Sequence, residues 1–109
     1  MNWTELTSEA QVDNILEESK TQPVVIYKHS NRCHICAMTK DRLEREEPPE
    51  GVKFYFLDVL ANRPVSNKVA DVFHVHHESP QLLLIKNGEC VYEESHNGIR
   101  MDELAEQLG

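Results

Sequence analysis

A chain of 109 residues, 39% hydrophobic and 28% charged, has the composition of one folded domain over residues 1–109 rather than a disordered polymer or a two-domain protein. Its formal charge of −8 opposes unspecific binding to nucleic acid or anionic lipid. The longest apolar runs, Val24-Val25-Ile26-Tyr27 and Leu82-Leu83-Leu84-Ile85, are far too short to cross a bilayer, and the opening Met1-Asn2-Trp3-Thr4-Glu5 lacks the pattern of a secretion signal, so a cytoplasmic protein is expected.

Between Ser8 and Lys20, apolar residues at Ala10, Val12, Ile15 and Leu16 recur with helical spacing, and Ser8 suits the N-cap. Pro23 closes the connection. Val24 to Tyr27 then forms an unbroken run rich in β-branched residues, which fits a strand covered on both faces, as in a parallel sheet. Lys28-His29-Ser30-Asn31 is polar, reads as a connection and offers two N-cap candidates. A second helix is predicted from about Cys33 to Glu46, stopped by Pro48, Pro49 and Gly51. Val52 to Val59 reads as a strand with Phe54 and Phe56 on one face and Tyr55 and Leu57 on the other. Asn62-Arg63-Pro64 turns into a helix with Val65, Val69, Val72 and Phe73 on one side. Glu78-Ser79-Pro80 breaks the chain before a third strand, Leu82 to Ile85. Asn87-Gly88 is a hairpin signal of the primed-turn kind, so Cys90 to Glu93 is expected to pair back antiparallel. After Gly98, the spacing of Met101, Leu104, Ala105 and Leu108 predicts a closing helix. Two right-handed crossovers followed by a hairpin give an α/β, thioredoxin-like fold with a mixed four-stranded sheet flanked by helices.

Three cysteines are too few to staple a secreted mini-protein, and a reducing compartment disfavours a structural disulfide. Cys33 and Cys36 open the second predicted helix, where unpaired backbone N–H groups and the positive end of the dipole favour a thiolate. Five of the eleven basic residues, Lys28, Arg32, Lys40, Arg42 and Arg45, lie in this region against only Asp41 and Glu44. Arg32 and Lys28 are therefore expected to depress the Cys33 pKa and to attract an anionic substrate. Cys36, one turn deeper, can attack a mixed disulfide formed on Cys33. Cys90, beside Val91, reads as an ordinary half-buried residue. Ser79-Pro80, just before the third strand, is expected to be a cis peptide against the Cys33 sulfur, with the Ser79 backbone free to hold an extended substrate.

Lys28-His29-Ser30-Asn31-Arg32-Cys33, the strand end at Asp58, and Ser79-Pro80-Gln81 followed by Leu-Leu-Leu-Ile-Lys-Asn-Gly together resemble the YtxJ-type monothiol bacilliredoxin family, over roughly residues 3 to 108. The resemblance implies a thioredoxin-like fold and removal of bacillithiol, a low-molecular-weight thiol, from cysteines of other proteins, with Cys33 attacking. Its partners would be S-thiolated proteins and the small thiol as co-substrate, with no bound cofactor and a monomeric chain. Many members of that family read TCPxS, whereas this chain reads Arg32-Cys33-His34-Ile35-Cys36, which leaves a dithiol route open. Compared with thioredoxin, no Trp precedes the first cysteine and no Pro the second, and Tyr27 stands where thioredoxin has a buried carboxylate.

Two rival readings use the same residues. Cys33 and Cys36 could ligate zinc with help from His29, His74, His76, His77 or Cys90, but His74-Val75-His76-His77 matches the tight second pair of a structural zinc site poorly. The histidines fit a polar helix terminus better. A non-catalytic thioredoxin-like adaptor would suit the missing buried acid, but retaining two cysteines at a helix start argues against it.

Overall fold

The computed structural model describes residues 1–108; Gly109, the last residue of the expected domain, lies outside the described residues. Five strands form one sheet in the order β1-β3-β2-β4-β5, with β1 Trp3–Glu5, β2 Val24–His29, β3 Lys53–Asp58, β4 Gln81–Lys86 and β5 Glu89–Ser95. The four helices are α1 Glu9–Glu18, α2 His34–Arg45, α3 Arg63–Phe73 and α4 Met101–Leu108.

The four-stranded expectation is corrected by β1, which pairs parallel with β3 at the sheet edge (Trp3 opposite Phe54, Glu5 opposite Phe56). Three residues of mixed polarity have no strand periodicity of their own; only the neighbouring strand makes them one. The crossovers shift accordingly. β1, β3 and β2 run parallel, so α1 and α2 carry the parallel connections, while α3 delivers β4 antiparallel to β2. An apolar run does not encode strand direction.

Helix α1 starts on a capping box. Ser8 Oγ accepts from the Gln11 N–H at 3.3 Å, and Gln11 Oε1 accepts from the Ser8 N–H at 3.0 Å. Asn87 and Gly88 have φ of 51° and 77°, the left-handed pair a two-residue primed hairpin needs. The Gly88 N–H then donates to Ser19 Oγ at 2.8 Å, tying the hairpin tip to the end of α1.

Strand alternation divides the core. Tyr55, Leu57, Ile26, Leu83 and Ile85 face Val12, Ile15, Val65, Val69 and Phe73 on the side of α1 and α3. Val25, Tyr27, Phe54, Leu82 and Leu84 face Leu43 and Leu104 on the side of α2 and α4. Each fully buried aliphatic side chain of this kind contributes about 1.5–3 kcal/mol of transfer free energy. β2 sits between β3 and β4, so all six of its residues are buried, Lys28 and His29 included. The polar connection expected from Lys28 therefore begins two residues later, at Ser30, because strand pairing extends to His29 opposite Asp58. No helix is long and apolar enough to cross a membrane among the described residues.

Candidate active site

The C-terminal end of β2 delivers the chain to Cys33, which is itself the N-cap of α2. Ser30 and Asn31, the expected caps, instead shape the preceding turn. Ser30 accepts the Cys33 N–H on its backbone oxygen at 3.1 Å and the Arg32 N–H on Oγ at 3.3 Å. Cys33 Sγ accepts the Cys36 N–H at 3.4 Å, so the sulfur does the work of a capping oxygen for an otherwise orphan donor.

The two thiols have different environments. Cys33 is partly exposed and Cys36 is buried, and both are free thiols. Cys33 is held below the ordinary thiol range, first by a hydrogen bond from the Cys36 thiol and then by the backbone N–H groups of Cys36 and Ile35. Cys36 is pushed up, chiefly by burial, against a smaller opposing pull from the Ser79 hydroxyl and the Ser30 backbone N–H. A thiol of lowered proton affinity near the surface and one of raised affinity one turn below it make a nucleophile and a latent second nucleophile.

Ser79-Pro80 is a cis peptide, as expected. Its side-chain hydrogen bond to the cysteine pair runs between Ser79 Oγ and Cys36 Sγ, 3.4 Å. None of the backbone hydrogen bonds outside the regular elements involves Ser79 among the described residues, while Pro80 O accepts from the His96 N–H at 3.0 Å. The two cations expected beside Cys33 part company. Arg32 is exposed in the turn. Lys28 is fully buried, with Nζ 3.2 Å from His77 Nδ1, and an ammonium sealed in this way does not meet a substrate. Neither is among the groups that lower Cys33, which leaves the helix start and Cys36 as the explanation.

Tyr27 fills the place under Cys36. Its hydroxyl donates to Cys36 O at 3.0 Å, and its ring stacks on Trp3 at 5.6 Å. Burial raises its pKa, so it is a neutral donor to α2 and not a substitute for an acid. The histidines are used separately: His74 closes α3 in the left-handed region, and His77 bonds Lys28 and Ser66. Among the described residues no three His, Cys, Asp or Glu side chains are grouped to hold a metal ion. Cys90 lies in β5, half-buried against the α1/α3 core, with its thiol donating to Tyr92 O at 3.3 Å. Sequence reasoning missed Gln81 and the Lys28–His77 pair. Lys28 and Gln81 flank the apolar runs at residues 24–27 and 82–85, and only the observed strand limits draw them into β2 and β4.

The sequence matches the profile of the monothiol bacilliredoxin BrxC family over residues 4–104. The chain belongs to the monothiol bacilliredoxin family. A solved thioredoxin-fold structure assigned as an oxidoreductase is 32% identical and superposes with a TM-score of 0.80, covering 96% of this chain and 92% of that one. Malassezia sympodialis thioredoxin (18% identity, TM-score 0.75, 98% and 88% covered) shares the fold. So does Fasciola hepatica thioredoxin (21%, 0.73, 95% and 94%). As a bacilliredoxin with this pair of thiols, the chain is a thiol–disulfide oxidoreductase. It departs from the family's monothiol description in holding a second thiol, Cys36, directly behind the first.

Proposed function

We propose that this bacilliredoxin removes bacillithiol from S-thiolated proteins in the cytoplasm, with no bound cofactor. The observation that carries the reading is the split between a lowered, accessible Cys33 and a raised, buried Cys36 at one helix start in a chain of this family. Cys33 thiolate attacks the bacillithiol sulfur of the protein mixed disulfide, the protein cysteine leaves as thiolate, and bacillithiol stays bonded to Cys33. Cys36 then loses its proton and attacks the Cys33 sulfur. Bacillithiol leaves as thiolate, and a Cys33–Cys36 disulfide remains for an external thiol to reduce. Arg32, exposed beside Cys33, favours the approach of a small thiol that carries carboxylates. The free Ser79 backbone is available to an extended protein segment.

The test uses a bacillithiolated protein and mass spectrometry of both partners. Wild type is expected to return the protein thiol and to accumulate Cys33–Cys36 disulfide, Cys36→Ser to stop with bacillithiol on Cys33, and Cys33→Ser to do nothing. Dethiolation by Cys33→Ser would overturn the assignment. Equal rates on glutathionylated and bacillithiolated protein would overturn the choice of thiol.

A further inference from the structure

Lys28, the most deeply buried cation among the described residues, has no acid paired with it there. Lys28 is 0% exposed, its only side-chain hydrogen-bond partner among the described residues is His77 Nδ1 at 3.2 Å, and the same nitrogen lies 3.3 Å from Ser66 Oγ on α3. An ammonium at this depth opposes folding, and an apolar side chain of equal length would fill the site more favourably. The position makes sense through what it holds. Lys28 stands opposite Gln81 in the β2–β4 register. Gln81, also buried, donates from Nε2 to His76 O at 3.0 Å and accepts from the Glu78 N–H on Oε1 at 3.4 Å. Two facing strand residues thus grip His76, His77 and Glu78 in turn, and Pro80 is held by His96 on the other side. Ser79, the residue between these anchors, is the one whose hydroxyl reaches Cys36.

We infer that Lys28 is a positioning residue that acts through His77 to set the Ser79 hydroxyl against Cys36, and that this hydroxyl relays the proton Cys36 must lose. The inference rests on the two-thiol reading above. With Tyr27 Oη committed to Cys36 O, Ser79 Oγ is the side-chain oxygen placed at the Cys36 sulfur. The Cys36 proton passes to Ser79 Oγ as the Ser79 proton passes to water. The resulting thiolate attacks Cys33 of the mixed disulfide, and the small thiol leaves as its thiolate. Lys28, His77 and Ser79 make no hydrogen bond to Cys33 among the described residues; its proton affinity is lowered by the Cys36 thiol and the backbone N–H groups at the start of α2.

Ellman's reagent separates the two steps in a Cys90→Ser background. The first nitrothiobenzoate is released by Cys33 and the second by Cys36 resolving the Cys33 adduct. Lys28→Met and His77→Leu are expected to keep the first phase within about twofold and to slow the second about tenfold, a purely second-step loss. His77→Asn, which keeps an acceptor near the Nδ1 position, is expected to restore most of the second phase. Ser79→Ala is expected to slow that phase equally, and adding Lys28→Met to it is expected to cost nothing more, because both changes remove one interaction. An unchanged second phase in Lys28→Met and His77→Leu, or losses that multiply with Ser79→Ala, would overturn the inference while leaving the two-thiol route intact. Absence of the second phase in wild type would overturn that route and the inference together. If Lys28→Met does not fold, the His77 pair and Ser79→Ala decide the same question.

Discussion

Cys33 and Cys36 sit one helical turn apart, yet their surroundings push their proton affinities in opposite directions. For Cys33 the cause is local: a neighbouring S–H and two N–H donors at the start of α2. Its alkylation by a small reagent is therefore expected to persist below the ordinary thiol range and to fall only as pH drops through the lowered pKa, with Cys36 silent until higher pH. A single shared titration of both thiols would contradict this, and Cys90→Ser should leave the profile unchanged. Lys28 gives a stability prediction of opposite sign to a paired lysine. Burial pulls its pKa from 10.5 down to about 8. Below about pH 8 both folded and unfolded chains carry the proton, and the folded state bears the full cost. Between there and the unfolded value the folded state sheds it first, and stability rises. Lys28→Met is thus expected to stabilise the fold near neutral pH by about 1–3 kcal/mol, after allowing for the lost His77 bond. Urea melts at pH 7 and above pH 10 check it: the gap should close at the higher pH.

At the scale of elements, the starts of α1 and α2 each depend on a specific side-chain acceptor. Ser8 and Gln11 serve α1 reciprocally, and the Cys33 sulfur serves α2. Ser8→Ala is expected to cost about 1 kcal/mol, the usual value of a lost N-cap, with the reactivity of Cys33 and Cys36 unaltered because α1 packs on the opposite face of the sheet from α2. Thermal denaturation beside an alkylation rate would show both. Gly88 has a comparable role in the β4–β5 hairpin. Its φ of 77° is strained for any side chain, although a Cβ there would meet only Leu16 Cδ2, at 3.8 Å. Gly88→Ala should therefore destabilise by roughly 1 kcal/mol through backbone conformation and not through a clash. A neutral outcome would mean the turn relaxes to another type.

Over the whole molecule the net charge of −8 repels anions, while the turn before α2 presents Arg32 at the surface. A carboxylate-bearing small disulfide is then guided by a local field within a repulsive one. Its reaction with Cys33 is expected to slow about two- to fivefold in Arg32→Ala at low salt, and the difference should shrink as the Debye length falls below about 8 Å. A difference that survives high salt would point to a direct contact. Loss of the Arg32 charge should not shift the Cys33 titration, since Arg32 is not among the groups that hold it down.

Much of this was legible in the sequence because it rests on short-range rules. The Ser8 cap, the Asn87-Gly88 turn, the opposite faces of Phe54 and Tyr55, and a thiol pair opening a helix each follow from residues within a few positions of one another. The motif of residues 28–33 together with Ser79-Pro80-Gln81 was enough to suggest the family. Tertiary structure alone decided the rest. β1 exists because β3 supplies its partners, and β4 runs antiparallel because of how α3 returns the chain. Lys28, polar and adjacent to a turn, read as a surface cation; the pairing of β2 with β3 and β4 carries the strand past it and buries it. Its partner lies 49 residues away at His77, and Ser79 meets Cys36 across 43. Local pattern records which side chains can bond or ionise, whereas burial and partnership at such separations depend on how the strands stack.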